Sequence, residues 1–347
     1  MYDNKTIRQL KKSIGNNMKK NKGERLSGIF SLFILPVLCP FLMVAHTPSF
    51  QGDNLLDVER ITVEQGLSHN TVIFIFQDRL GWLWFGTGYG VNRYDGYRYE
   101  NYRHDEREFA YSSWIKTMAQ DRSGNYWFGT TAGLTRRDKK TGEFVFYRHN
   151  PEAPGTICSN DINTIQVAIH TGSDVLWVGT DNGLCSIIMP GTPGGNLKIK
   201  NYYPDSPDGS GLAGNHITSL LESRRRGGRS LWIGTRTGLS QLILNETNPA
   251  DHKETFVNFS SDTGGNNILS GKAITSLCEI PPAKGNSPDL FVGTTAGLNR
   301  LHWDEQGKLH IKHYKNEPEN PLSLSQNHVT AIKVDTLNEA EPGYGID

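Results

Sequence analysis

Cysteine, net charge and helical patterning are all scarce in this chain. Its 347 residues include 4 cysteines, which excludes a disulfide-dense scaffold. The 36 basic and 36 acidic side chains cancel, which argues against a protein that binds nucleic acid through a basic surface. Charged residues make up 21% of the chain and aromatic residues 10%, a balance that argues against a wholly disordered protein. No convincing helical period follows the N-terminal region.

Motifs that carry chemistry are missing as well. The sequence has no Gly-x-x-x-x-Gly-Lys-Ser/Thr loop, no His-Glu-x-x-His pair and no Gly-x-Ser-x-Gly elbow. The 11 histidines show no metal-ligand spacing. We therefore expect no catalytic residue, no metal and no cofactor. Cys158, Cys185 and Cys278 follow the N-terminal region; an odd number cannot pair completely, and we interpret them as small apolar residues in strands.

The N-terminal region differs in composition from the rest of the chain. Residues 1–25 form a basic tail with eight basic and two acidic side chains, and Met18 within it is an alternative start. Residues 26–50 contain no charged side chain, and 29–45 are almost all apolar. This order is typical of a signal peptide; an uncleaved membrane anchor is the alternative. We expect the remaining chain, with its net negative charge, to be exported.

An eight-residue core, Trp/Phe-x-Gly-Thr-x-x-Gly-Leu/Val, occurs five times. The copies lie at residues 84–91, 127–134, 177–184, 232–239 and 291–298. We interpret the aromatic residue and the first glycine as the structural core of the repeat. These residues are Trp84, Gly86, Trp127, Gly129, Trp177, Gly179, Trp232, Gly234, Phe291 and Gly293.

Each core belongs to a unit with four strand-like runs, which we name strands A to D. Strand A is a Val/Ile-rich run upstream, strand B contains Trp-x-Gly-Thr, strand C follows the second glycine, and strand D alternates aromatic residues. The second glycine is predicted to supply a positive φ in the B–C turn. Four strands in roughly 40–60 residues are typical of a β-propeller blade, whereas solenoid coils would be shorter and more uniform. We predict an all-β propeller over 57–347, with five full blades and part of a sixth.

The repeated core, with Asp-x-x-Gly before it and Leu-Ser-x-Asn before strand A at 67–70 and 324–327, resembles the two-component regulator propeller repeat. Such repeats occur in the periplasmic sensor region of hybrid two-component histidine kinases of Bacteroidetes. The resemblance implies an incomplete seven-bladed ring, an oligosaccharide ligand, a homodimer and attachment to the inner membrane in the whole sensor. The kinase itself is absent from this sequence, and we expect a gene or sequence interrupted in its sixth repeat.

Positions that vary between blades at one end of the fold are candidate ligand contacts. The D–A and B–C loops lie on one face of a propeller, and aromatic, amide and charged groups there suit a sugar. The candidate rim residues are Tyr89, Trp114, Asp181, Asn182, His216 and Arg236. The sequence thus predicts a glycan-sensing module without enzymatic activity. A protein-binding or structural propeller is the alternative, and a glycosidase or lyase would need the rim carboxylates Asp161 and Asp181.

Overall fold

The structure, a computed structural model, describes nine stretches of the chain. They are residues 60–102, 114–169, 174–189, 197–204, 211–225, 228–244, 255–261, 268–280 and 288–334. The predicted basic tail and the predicted signal or anchor segment lie outside the described residues. Among the residues described, no helix has the length and apolar character needed to cross a membrane.

Five antiparallel sheets, each of four strands, make up the described fold. Within every sheet the strands follow one another in chain order, so each sheet is one blade. The strands are β1 (Val72–Gln77), β2 (Leu83–Thr87), β3 (Gly90–Tyr94) and β4 (Tyr99–Tyr102) in blade 1; β5 (Ile115–Gln120), β6 (Tyr126–Thr130), β7 (Gly133–Arg137) and β8 (Phe144–Tyr147) in blade 2; β9 (Ile162–Ala168), β10 (Val175–Thr180), β11 (Gly183–Ile188) and β12 (Lys198–Tyr202) in blade 3; β13 (Ile217–Arg225), β14 (Gly228–Thr235), β15 (Leu239–Leu244) and β16 (Thr255–Phe259) in blade 4; and β17 (Ile274–Ile280), β18 (Asp289–Thr294), β19 (Gly297–Trp303) and β20 (Leu309–Tyr314) in blade 5.

The first strands of successive blades contact one another, β1 with β5, β5 with β9, β9 with β13 and β13 with β17. Strand B of each blade also contacts strand A of the next, so strand A lies where neighbouring blades meet. This arrangement confirms the predicted all-β propeller of four-stranded blades.

Aromatic residues of the repeated core fill the space between blades. Trp84 packs in one cluster with Met118 and Phe128 of the following blade. Trp127 does the same with residues of blade 3, Trp177 with residues of blade 4, and Trp232 with residues of blade 5. A twisted sheet cannot bury both faces alone, so each blade depends on its neighbour for its core.

The first glycine of the core leaves room for the next blade. A Cβ on Gly179 would lie 2.6 Å from Cγ2 of Ile217, the first residue of strand A in blade 4. The same approach occurs at Gly129 with Ile162 and at Gly234 with Ile274, at 2.6 and 2.7 Å. The glycine is thus required by packing against strand A of the next blade and of its own blade, rather than by its own backbone conformation.

The second glycine meets the sequence prediction in four blades and departs from it in one. Gly90, Gly133, Gly183 and Gly297 have φ values of 111°, 124°, 114° and 134°, whereas Gly238 does not have a positive φ. The prediction was wrong for Gly238, because the turn of blade 4 has a different conformation. Glycine is nevertheless needed there, since a Cβ would lie 2.8 Å from the carbonyl oxygen of Phe259.

The partial sixth repeat docks against blade 5. The backbone N–H of Val329 donates to the carbonyl of Thr294 at 3.1 Å, and the Thr275 hydroxyl donates to the carbonyl of Val329. A Cβ on Gly293 would lie 2.9 Å from Val329 Cγ1, as the other glycines approach the first residue of the next strand A. Residues 327–334 therefore occupy the place of a sixth strand A, although they form no regular strand.

Candidate functional site

The two kinds of predicted rim position are neighbours within their own blades. In four blades a backbone N–H of the B–C turn donates to the carbonyl of a residue at the start of strand A. The pairs are Thr131 with Trp114 (3.3 Å), Asp181 with Asp161 (3.1 Å), Arg236 with His216 (3.2 Å) and Thr295 with Ala273 (3.2 Å). His216 and Arg236, both candidates, are thus joined through their backbones.

A buried threonine fixes the turn that carries Asp181 and Asn182. The Thr180 hydroxyl donates to the carbonyl of Gly183 at 2.8 Å and accepts the N–H of Asn182 at 3.1 Å. Equivalent pairs of bonds occur at Thr87, Thr130, Thr235 and Thr294. The repeated threonine was visible in the sequence, but its role depends on the turn geometry.

Strand A carries a bulge at its second residue in each blade. In blade 3, Gly179 pairs with Thr164 and Thr180 with Ile162, which leaves Asn163 unpaired in the ladder. The corresponding residues elsewhere are Ile73, Lys116, Thr218 and Thr275. A bulge re-aims the side chain of its extra residue, and here three of these side chains reach the next strand A.

Two bulge residues, Lys116 and Asn163, connect three blades near the candidate positions. Lys116 Nζ forms an ion pair with Asp161 and donates to Asn163 Oδ1 at 2.9 Å. Asn163 Nδ2 donates to the carbonyl of Ile217 at 3.1 Å and lies 3.4 Å from His216 Nε2. Lys116 and Asn163 are not among the residues predicted from the sequence. The signal that marks them is a polar residue directly after the first apolar residue of strand A.

Charged groups from blades 2, 3 and 4 converge on His216. Burial lowers the pKa of His216, and the guanidinium of Arg236 lowers it further, while the carboxylate of Asp181 opposes the shift. The imidazole is therefore mainly neutral at pH 7 and can donate from one nitrogen and accept at the other. We name the group formed by Lys116, Asp161, Asn163, Asp181, His216 and Arg236 the polar cluster.

Asp181 supplies an acceptor to this cluster. Its Oδ1 is buried and has no hydrogen-bond partner among the described residues. Buried polar atoms in folded proteins nearly always have a partner. Asp181 Oδ1 is thus an acceptor for which the described residues supply no donor.

The two aromatic candidates are large exposed side chains on neighbouring blades. Tyr89 lies in the B–C turn of blade 1 and Trp114 directly before strand A of blade 2, with 46% and 53% of their surfaces exposed. Exposed aromatic rings of this size offer flat faces on which an apolar or sugar surface can stack. The structure therefore brings Asp181 and Asn182 together on one turn and His216 with Arg236 on the next blade, while Tyr89 and Trp114 extend the rim to blades 1 and 2.

A cavity of about 230 Å³ lies further along strands A of blades 1, 2 and 3. Phe76, Met118 and Ile165 give it apolar walls, and Gln77 and Gln120 are among its polar lining residues. None of the six predicted rim residues lines this cavity. In the described part of the chain, no group of three His, Cys, Asp or Glu side chains is placed to hold a metal ion.

Comparison with known proteins identifies the repeat. Residues 66–89, which include strand A and strand B of blade 1, match the family model described as two component regulator propeller. A protein named histidine kinase P4, from Formosa agariphila, is 33% identical over 81 residues, which are 23% of this chain and 5% of that protein. These findings confirm the resemblance predicted from the repeated core.

A solved structure shares the fold. The extracellular domain of a hybrid two-component system of B. thetaiotaomicron is 23% identical, with a TM-score of 0.56 over 81% of this chain and 39% of that one. Another extracellular domain from the same organism is also 23% identical, with a TM-score of 0.48 over 77% of this chain and 36% of that one. The chain therefore spans well under half the length of these relatives.

Proposed function

We propose that this chain, which carries the two-component regulator propeller repeat, is the periplasmic ligand-sensing part of a hybrid two-component sensor. Its ligand is an oligosaccharide released from a polysaccharide, and its role is binding rather than catalysis. In the whole sensor, occupancy of the propeller would control a kinase and, through it, the transcription of genes for glycan use. The repeat match and the relatives named above support a sensor context.

The observation that carries the proposal is the polar cluster with exposed aromatic residues on the adjoining blades. Asp181 contributes a carboxylate to the cluster, and His216 can act as donor or acceptor. Arg236 adds donors in the same blade as His216, and Trp114 adds an exposed ring. Sugar recognition commonly needs this combination, because hydroxyl groups require polar partners and ring faces require aromatic ones.

The same geometry gives little support to a glycosidase. Asp161, one of the two rim carboxylates such an enzyme would use, is engaged in the ion pair with Lys116.

In the proposal, the partners of this chain are the remaining sensor protein, a second copy of the sensor and the inner membrane. Nucleic acid is not a partner of this region in the proposal.

Isothermal titration of the full chain against a panel of polysaccharide digests tests the proposal. We expect saturable binding of one glycan class without turnover, and a loss of at least about tenfold in affinity for Trp114→Ala and for Arg236→Ala. Each lost contact of this kind is worth about 1–3 kcal/mol, and 1.4 kcal/mol is a factor of ten.

Tyr97→Ala and Arg98→Ala are matched controls, because both residues are highly exposed and lie in the C–D turn. That turn is at the other end of the blade from the B–C turn. Equal affinities in the rim variants and the control variants would place the ligand elsewhere. Product formation during the titration would favour an enzyme, and absence of binding to every glycan would favour a protein-binding propeller.

A further inference from the structure

Two of the cysteines, far apart in sequence, meet in blade 3. Cys158 lies in the connection that leads into strand A, and Cys185 lies on β11, 27 residues later. Their sulfur atoms are 2.7 Å apart, and the N–H of Cys158 donates to Cys185 Sγ at 3.0 Å. Non-bonded carbon atoms are in contact at roughly 3.5–4.0 Å, and sulfur is the larger atom. The two thiols are thus held closer than ordinary packing brings two side chains together.

Other blades use the same two positions for a hydrogen-bonded connection. One position lies four residues before the first residue of strand A, and the other lies two residues after the second glycine. The connections are Ser68 N–H to Asn92 Oδ1 (2.7 Å), Ala213 N–H to Ser240 Oγ (2.8 Å) and Ser270 N–H to Asn299 Oδ1 (2.8 Å). In blades 1 and 5 the asparagine also donates back to the serine hydroxyl at 3.0 Å.

Blade 3 has replaced both partners of this connection with cysteine. A single cysteine at either position would be an ordinary small residue. With cysteine at both positions, the two side chains can interact with each other in place of the hydrogen-bonded pair. Both side chains are buried, and the Cys185 thiol donates to Cys158 Sγ. We propose that Cys158 and Cys185 form a disulfide in the exported protein, which fixes the entry of blade 3 to its strand C.

The chemistry needs an oxidant, which is an exogenous disulfide such as that of a periplasmic thiol-disulfide oxidoreductase. The Cys158 thiolate attacks one sulfur of that disulfide and releases the first thiol. The Cys185 thiolate then attacks Cys158 Sγ in the mixed disulfide and releases the second thiol. Two protein thiols are oxidised, one disulfide is reduced to two thiols, and the two protons end on the released thiols. Because both sulfurs are buried in the fold, exchange takes place before the connection docks on β11.

Once the connection has docked on β11, the two thiols differ in acidity. The hydrogen bond from the Cys185 thiol lowers the pKa of Cys158, whereas burial raises the pKa of Cys185. Cys278, on β17, has its pKa raised by burial. We therefore expect Cys278 to remain a thiol and to serve as an internal control.

The inference rests on the export contained in the proposed function, so the experiment has two arms. In the first, the full chain is recovered from the periplasm, and free thiols are alkylated under denaturing conditions. The sample is then reduced and labelled with a second alkylating reagent, and the labelled peptides are mapped. We expect the second label on Cys158 and Cys185 and the first label on Cys278. The first label on both Cys158 and Cys185 would overturn the proposal.

In the second arm, purified reduced chain is unfolded in urea and then refolded in the presence of oxidised glutathione, so that both thiols are accessible while the link can form. This arm does not depend on where the cell places the chain. Formation of the Cys158–Cys185 link supports the geometric inference, even if the first arm finds the chain unexported and thereby contradicts the proposed function. Folded protein that gains no link in oxidised glutathione overturns the inference.

The double variant Cys158→Ser with Cys185→Asn restores the pair found in blades 1 and 5, and it is the matched control for stability. Reduction should lower the Tm of the oxidised natural chain by about 6 °C, the shift expected when the loop between these cysteines loses its link. The Tm of the double variant should not change on addition of reductant. The Tm of Cys278→Ser should fall as that of the natural chain does. Equal insensitivity of the natural chain would contradict a structural disulfide.

Discussion

The packing of one blade on the next can be tested at Gly129. The substitution Gly129→Ala adds a Cβ that would lie 2.6 Å from Cγ2 of Ile162 in blade 3 and 2.6 Å from Cγ2 of Thr117 in its own blade. The Ile162 side chain is completely buried, and Gly129 itself lies within β6. The new methyl group can therefore be accommodated only if both Ile162 of blade 3 and Thr117 of blade 2 move away.

The magnitude follows from two opposing effects. Overpacking a well-filled site typically costs about 1–3 kcal/mol. Replacing glycine with alanine reduces the conformational entropy of the unfolded chain, which stabilises the protein by about 0.4–1 kcal/mol. We expect a net loss of about 1–2 kcal/mol in the free energy of unfolding. The loss should be smaller in the background of Ile162→Ala, because that substitution removes one of the two clashing Cγ2 atoms.

Urea denaturation of the full chain, followed by tryptophan fluorescence, measures the effect. Gly88→Ala is the matched control, since a Cβ there would be 3.7 Å from His69, an ordinary contact, and Gly88 does not have a positive φ. The double-mutant cycle of Gly129→Ala with Ile162→Ala should show a coupling above about 0.5 kcal/mol. If Gly129→Ala is as stable as Gly88→Ala, or if the cycle shows no coupling, the explanation of the first glycine is wrong.

Four further predictions concern buried polar groups and the rim. Asp121→Ala should lower the free energy of unfolding by about 1–3 kcal/mol for each buried donor that it leaves unpaired. One such donor is Trp127 Nε1, which lies 3.0 Å from Asp121 Oδ2. An unchanged urea midpoint would contradict this prediction. Thr180→Val should cost about 1–3 kcal/mol in the same assay, because the hydroxyl bonds to Gly183 and Asn182 are lost at constant size. Since burial lowers the pKa of His216 below its unfolded value, the unfolded state binds the proton more tightly, and stability should fall as the pH drops through about 6.5. Arg236→Gln should raise the pKa of His216 in an NMR titration, and a downward shift would refute the assigned charge interaction.

Much of the fold could be predicted because the same local sequence pattern occurs five times. Alternating aromatic and β-branched residues, with a glycine in each B–C turn, are sufficient to place strands A to D. The exception, Gly238, shows the limit of that reasoning. The second glycine has a positive φ in four blades and not in blade 4, although the sequence pattern is the same in all five. A close approach to a carbonyl of the blade's last strand requires glycine at Gly238 and also at Gly133, Gly183 and Gly297.

The candidate site was predictable in part for a similar reason. Loop positions could be assigned to one end of each blade, so Asp181, His216 and Arg236 were identified as residues of one face. Lys116 and Asn163 were not identified, because a bulge at the second residue of strand A turns them toward the next blade. An unpaired residue in a ladder leaves no mark on the alternating pattern.

The sequence alone determined the class of fold, the number of repeated units and the position of each strand within a unit, since these depend on local patterning. Tertiary structure decided which residues of different blades meet. It placed Ile162 on Gly129, Asn163 beside His216, and Cys158 beside Cys185. Contacts of this kind join residues that are tens of positions apart, and they exist only after the blades have stacked and excluded water from the space between them.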